Sequence, residues 1–299
     1  MGKVAFVYPG QGTQYVGMGK ELYENNNKAK ELFDKIFNSL DIDLKNVMFE
    51  GPEDLLKRTD YTQPAIVSLS LVLTELLKEK GIEADYVAGH SVGEFAAFGG
   101  ANYLSIEDAV KLVAARGRIM REVAEKVNGS MAAVLGMDAE KIKEVLKSVD
   151  GVVEAVNFNE PNQTVIAGEK EAVENACMAL KEAGAKRALP LAVSGPFHSS
   201  LMKEAGEQLK EEAKKYTFNV GKIKIIANTT AEPLETDSEV KDEIYRQSFG
   251  PVKWVDTINK LKSLGVTKIY EIGPGKVLSG LIKKIDKEIE VENIELIEA

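Results

Sequence analysis

At 299 residues, with 44% hydrophobic and 28% charged side chains, the chain has a globular composition and enough apolar material for one large core or two modest ones. A net charge of -9 excludes general nucleic-acid binding through a basic surface, and no apolar run reaches the length of a membrane span. A single cysteine, Cys177, excludes an internal disulfide and fits a reducing compartment, and two histidines beside it leave no zinc constellation.

Residues 4–8 read as a strand, too close to the start and too short for a signal-peptide core, so a cytoplasmic location is expected. The strand runs into Tyr8-Pro9-Gly10-Gln11-Gly12-Thr13-Gln14. This is not a nucleotide loop: a third Rossmann glycine would fall at Tyr15, and no G-x-x-x-x-G-K-[ST] follows. Residues 65–78 read as a helix closed by Gly81, and 86–88 as the next strand.

That strand leads into Gly89-His90-Ser91-Val92-Gly93, a match to the nucleophile elbow G-x-S-x-G, and residues 94–98 lead out as a helix. In such a strand–turn–helix setting the serine hydroxyl is exposed on a strained corner, and the flanking glycines let the chain turn without a Cβ clash. A glycine-rich turn with a bystander serine is the plain alternative. If the elbow is real, the N–H of Val92 faces a reacting carbonyl oxygen, and the Gln11 N–H of the first loop is placed to donate beside it.

Ser105 caps a helix running to about residue 127, with Asp108 three residues on as a variant capping box. At about 100° per residue, Ala109, Val113, Met120, Val123 and Val127 share one face of it. Arg116 falls near the middle of that stripe and Arg118 on the opposite side. A guanidinium on a buried face cannot shed its proton and needs a partner. Either a carboxylate of the fold supplies one, or the partner arrives with the substrate as an acyl group bearing a free carboxylate, which a planar fork holds by two hydrogen bonds. Met120, one turn further along the stripe, is taken as a substrate contact beside it.

The middle of the chain changes rhythm. Residues 130–135 read as strand, 139–149 as helix, 152–156 and 164–167 as a hairpin around Asn159-Glu160-Pro161-Asn162, 171–182 as helix, and 187–193 as strand. The order β-α-β-β-α-β is that of a ferredoxin-like unit. Cys177 lies on the apolar stripe of its second helix with Val173 and Leu180, as a structural thiol. Gly129 and Gly195 bracket the unit, so residues 129–195 are expected as a small domain inserted into an α/β core of residues 1–128 and 196–299. Strands at 223–227 and 268–272, and the helical spacing of Trp254, Val255, Ile258 and Leu261, complete a parallel-sheet core. A cleft between the lobes is the expected substrate site.

A serine nucleophile needs a base, and the chain offers two histidines. His90 sits inside the elbow, where the turn points its side chain elsewhere. His198, in Pro196-Phe197-His198, follows the strand 187–193 at its C-terminal end and is the candidate.

Pro9-Gly10-Gln11-Gly12, Gly89-His90-Ser91-Val92-Gly93-Glu94, Arg116-Gly117, Pro196-Phe197-His198 and Glu271-Ile272-Gly273-Pro274-Gly275 stand in the order and spacing of the malonyl-CoA:acyl carrier protein transacylases, and the chain resembles that family over essentially its whole length. The resemblance implies an α/β-hydrolase-like core with a ferredoxin-like insertion. It implies Ser91 as the nucleophile that takes the malonyl group, His198 as base and later acid, Arg116 as the clamp on the malonyl carboxylate, and the Gln11 and Val92 N–H groups as the oxyanion hole. Gln247, in Tyr245-Arg246-Gln247-Ser248, matches a glutamine whose backbone carbonyl orients the histidine in place of a triad acid. His90 and Phe197 are implied as substrate contacts. Phe197 stands where several bacterial stand-alone enzymes have serine, and resembles malonyl-selective polyketide domains, so an α-methyl group should be poorly accommodated. The implied reaction is ping-pong transfer from malonyl-CoA to the phosphopantetheine thiol of acyl carrier protein, supplying fatty acid or polyketide synthesis, with no metal or other cofactor, and carried out by a monomer. A serine thioesterase or hydrolase with the same elbow, and a non-catalytic carrier-protein binder, are the alternatives.

Overall fold

The computed structural model describes residues 2–297, within which nine strands follow one another. They are β1 (Lys3–Tyr8), β2 (Tyr86–Gly89), β3 (Gly129–Leu135), β4 (Val153–Glu160), β5 (Gln163–Glu169), β6 (Arg187–Pro190), β7 (Lys224–Ile226), β8 (Val266–Ile272) and β9 (Glu290–Ile294). Two sheets result. One has the order β7-β2-β1-β8-β9 with every pairing parallel; the other has the order β4-β5-β3-β6 with every pairing antiparallel.

The parallel sheet explains why β1 reads as an unbroken apolar run. Phe6 and Tyr8 point into a core shared with the helices Thr59–Glu79, Gly93–Gly100 and Ile106–Ala124. Ala5 and Val7 point the other way, onto Trp254, Ile258 and Leu261 of the helix Trp254–Ser263 and onto Leu278 and Ile282 of the helix Val277–Ile285. A strand covered on both faces has no side left for polar residues. The antiparallel sheet carries its own smaller core, where Ala132, Val134 and Ile166 meet Ile142, Val173, Cys177 and Leu180. Cys177 is buried there, and burial raises its thiol above the ordinary range, as expected of a structural sulfur. The sheets are joined by main chain: Phe158 N donates to Val252 O (2.9 Å) and Val252 N to Val156 O (2.8 Å). No helix among the described residues is long and apolar enough to cross a membrane.

Several boundaries differ from the sequence reading. The helix expected at 65–78 begins at Thr59, because Pro64 sits in its second turn, where a missing N–H removes one bond without ending the helix. Gln63 is thereby carried on a helix rather than a loop. Ser105 caps its helix through Asp108 N (3.1 Å), but the Asp108 carboxylate turns to Lys111 (3.5 Å) instead of back to the cap, and the helix ends at Ala124. The hairpin is longer and tighter than expected, with Asn159 and Glu160 inside β4. The strand expected at 187–193 stops at Pro190, and the following residues leave the sheet edge to line a cavity. Strand β9 and the helices between β1 and Thr59 were not anticipated.

Candidate active site

The elbow is built by close approach. A Cβ on Gly89 would lie 1.9 Å from the Gly93 carbonyl carbon, and one on Gly93 would lie 2.1 Å from Tyr8 O, so neither position has room for a side chain. Ser91 between them adopts φ 53°, a left-handed conformation that a non-glycine residue holds only when its surroundings dictate it. Here Asn228, just beyond β7, dictates it: Oδ1 accepts from Ser91 N (2.8 Å) while Nδ2 donates to Gly89 O (2.6 Å). The turn stands at the carboxyl edge of the parallel sheet, where open α/β sheets place their sites.

Ser91 Oγ lies 2.7 Å from His198 Nε2, and His198 Nδ1 lies 2.8 Å from the backbone oxygen of Gln247. The carbonyl can only accept, so Nδ1 carries the proton and Nε2 presents its lone pair to the serine hydroxyl. His198 has φ 67°, and its own N–H donates to Ser248 O (3.0 Å), so the adjacent carbonyls of Gln247 and Ser248 hold its ring and its main chain. Burial, followed by the Arg116 charge, lowers the imidazole to about 3, which keeps it neutral. The histidine does not come from the end of a strand as expected: β6 has ended at Pro190, and His198 comes from the loop returning from the second sheet.

Arg116 is fully buried on the Ile106–Ala124 helix. Its Nη1 donates to Gln63 Oε1 (2.7 Å), and its Nη2 to Gln247 Oε1 (2.8 Å) and Ser91 Oγ (3.3 Å). Its Nε has no acceptor among the described residues, and its face lies 4.9 Å from the Phe95 ring centre. No described carboxylate is hydrogen-bonded to it: neutral amides hold it, and Glu94 acts on it only as a nearby charge. Burial lowers it to about 9, and it stays charged at neutral pH.

A cavity of about 330 Å³ brings Gln11, His90, Ser91, Arg116, Met120, Phe197 and His198 together, with Gln63 and Asn157 also in its wall. Gln247 stands behind this wall and Val92 is buried in the elbow. The N–H groups of Gln11 and Val92 donate to no acceptor among the described residues. The first loop is pressed onto the elbow, since a Cβ on Gly10 would come within 2.9 Å of His90 O. The His90 ring points away from the serine, as the turn implied, to Asn159 Oδ1 (2.7 Å), with its edge against Trp254.

Three participants carry no role in the sequence reading. Gln63 lies outside the helix expected at 65–78 and on the one observed from Thr59. Asn228 follows an apolar strand at the carboxyl edge, which was the one available clue. Glu94 stood in plain view within the elbow motif, but nothing local shows that its carboxyl group is buried.

A serine on an elbow, hydrogen-bonded to a histidine at the carboxyl edge of a parallel α/β sheet, is the arrangement found in serine-dependent hydrolases and acyltransferases. The comparisons narrow the class. The family model described as the acyl transferase domain matches residues 5–297. A malonyl CoA-acyl carrier protein transacylase of Bacillus subtilis (strain 168) is 45% identical over 292 residues, 97% of this chain and 92% of the relative. Among solved structures, an acyl carrier protein S-malonyltransferase from Vibrio cholerae O1 biovar eltor superposes with a TM-score of 0.94 at 39% identity, covering 98% of this chain and 96% of that one. A malonyl-transacylase solved in complex with a type II PKS acyl-carrier protein gives 0.94 at 37% identity, again covering 98% and 96%. The chain belongs to the acyl transferase domain family and, within it, to the malonyl CoA-acyl carrier protein transacylases.

Proposed function

We propose that this protein transfers a malonyl group from malonyl-CoA to the phosphopantetheine thiol of an acyl carrier protein through an ester on Ser91. The observation that carries the reading is the placement of Ser91 Oγ between His198 Nε2 (2.7 Å) and the guanidinium of Arg116 (3.3 Å), in one cavity, with no acid paired to the cation among the described residues. A free carboxylate two bonds from a thioester carbonyl fits that spacing.

His198 takes the Ser91 proton as the hydroxyl oxygen attacks the thioester carbonyl. The developing oxyanion is met by the N–H groups of Gln11 and Val92, donors typically worth about 3 kcal/mol each. The C–S bond breaks, and the imidazolium returns its proton to the departing CoA thiolate. In the second half, His198 deprotonates the carrier thiol, which attacks the ester and restores the serine. The Gln247 carbonyl keeps Nδ1–H in place throughout, as a carboxylate does in a triad. Exchange of thioester for ester and back is nearly isoenergetic, so the reaction calls for no metal or other cofactor. Arg116, held by two amides, fixes the acyl group, with Phe197, Met120 and His90 walling the space around it. Phe197 leaves little room for an α-methyl group.

The same reading takes residues 129–195 as a ferredoxin-like insertion, supported by the order β4-β5-β3-β6, in an α/β-hydrolase-like core of residues 1–128 and 196–299. A cytoplasmic monomer serving fatty acid synthesis completes it.

The test is the mass of the intact protein after brief exposure to malonyl-CoA, with the adduct mapped by peptide. A stable malonyl adduct on Ser91 that moves to a phosphopantetheinylated carrier supports transfer. Rapid release of free malonate without any carrier would make the protein a thioesterase.

A further inference from the structure

We infer that Glu94 is a positioning residue: its carboxyl group fixes which way the Gln247 side-chain amide faces, and through that amide seats both Arg116 and Ser91. The inference rests on the reading that Arg116 receives the substrate carboxylate.

Glu94 follows the elbow directly, in the first turn of the Gly93–Gly100 helix, and is 1% exposed. A buried carboxyl group is costly without donors, and this one has two. Asn228 N donates to Oε1 and Gln247 Nε2 to Oε2, each at 2.8 Å. Both oxygens therefore accept. Gln247 Nε2 spends its second hydrogen on Ser91 O (2.7 Å), so the amide nitrogen is tied on two sides and Oε1 is left facing Arg116 Nη2 at 2.8 Å.

An amide alone has little preference between its two ends; a half turn of the last torsion exchanges oxygen and nitrogen at small cost. Turned around, Gln247 would set NH₂ against the guanidinium N–H, donor facing donor, and oxygen against the Glu94 oxygen. Glu94 acts with the Arg116 guanidinium and the Ser91 carbonyl against that orientation. Burial, with Glu243 adding to it, raises Glu94 above the ordinary carboxylate range, and a protonated carboxyl group retains acceptor capacity. Glu243 shares a side-chain hydrogen bond with Glu94 and also accepts from the Thr229 N–H (2.9 Å) and hydroxyl. Gln247 thus touches three working parts: Arg116 and Ser91 by its side chain, His198 by its backbone oxygen.

Glu94→Gln offers one acceptor where two are used, so either Asn228 or Gln247 must face a donor. Wild type, Glu94→Gln and Glu243→Gln are compared by single-turnover acylation with malonyl-CoA and with acetyl-CoA. For Glu94→Gln, kcat/KM for malonyl-CoA is expected to fall at least about 30-fold, and the malonyl-to-acetyl ratio about tenfold, with KM for malonyl-CoA rising. Glu243→Gln changes the neighbour hydrogen-bonded to Glu94 but keeps Asn228 N and Gln247 Nε2 on its oxygens, and is expected to hold the ratio within about twofold. Equal losses for the two acyl groups in Glu94→Gln, or a matching ratio change in Glu243→Gln, would overturn the inference, since loosened packing alone gives that result. If Glu94→Gln does not fold, Glu94→Asp keeps two acceptors on a shorter arm; a ratio lowered about threefold supports the role, and an unchanged ratio overturns it. A wild-type protein that forms no malonyl ester at Ser91 would defeat the functional reading itself, whatever the variants do.

Discussion

Arg116 Nη2 reaches Ser91 Oγ at 3.3 Å, although the two residues come from different helix–strand units of the core. The guanidinium is buried, and the oxygens that hold it belong to the amides of Gln63 and Gln247. Amides satisfy N–H groups without cancelling charge. A cation kept in this state next to the Ser91 hydroxyl retains its attraction for a carboxylate brought in from outside.

Arg116→Ala is therefore expected to lower kcat/KM for malonyl-CoA by roughly a hundredfold, about 3 kcal/mol for the lost charge-assisted bonds, while acetyl transfer is retained or improved. Rates with the two acyl-CoA substrates measure this directly. An equal loss for both would contradict the clamp.

Gln63→Glu should mimic the loss by the opposite route. The new carboxylate takes the place of an oxygen 2.7 Å from Arg116 Nη1 and gives the cation an internal acid. Malonyl-CoA must then compete with it, and its KM is expected to rise at least about tenfold with acetyl-CoA little affected. An unchanged KM for malonyl-CoA would show that Arg116 does not meet the carboxylate.

His198→Ala is expected to reduce Ser91 acylation by roughly 10²–10⁴-fold, the usual contribution of a positioned base, without unfolding the protein. Circular dichroism checks the fold and the rate of adduct formation checks the chemistry. A twofold effect would point to a different base.

The pH dependence follows from the lowered imidazole. With His198 at about 3 instead of the ordinary value near 6.5, the base stays neutral as the solution is acidified, and acylation should show no inflection in the ordinary histidine range. An acid limb centred near 6.5 would refute this. The unfolded imidazole takes up its proton as pH falls through about 6.5, whereas the folded one does not until about 3, so stability is lost progressively as pH falls across that window. The thermal midpoint of His198→Ala should decline less steeply there than that of wild type.

Gly93→Ala places a Cβ 2.1 Å from the main-chain oxygen of Tyr8, a neighbour that cannot turn aside. A destabilisation of about 3 kcal/mol or more is expected, at the upper end for overpacking, read as a lowered urea midpoint. Normal stability would mean that β1 and the elbow are less tightly apposed than the spacing indicates.

Local pattern alone marked out the elbow, the apolar stripe with one arginine in it, and a single histidine free to serve as base. Each of these is written in short-range spacing: period two for strands, 3.6 for helices, and glycines where backbone passes backbone. The α-β-α alternation and the distinct rhythm of the middle segment came from the same source. What spacing could not reveal were the partners. Ser91 meets His198 across 107 residues, Arg116 meets Gln247 across 131, and Asn228 meets Gly89 across 139. No periodicity links such positions, because only the parallel crossovers and the loop returning from the second sheet bring them within hydrogen-bond reach. The identity of Arg116's hydrogen-bond partners, two amides and a hydroxyl and no acid, was a matter for the folded chain, and it is what leaves the cation available.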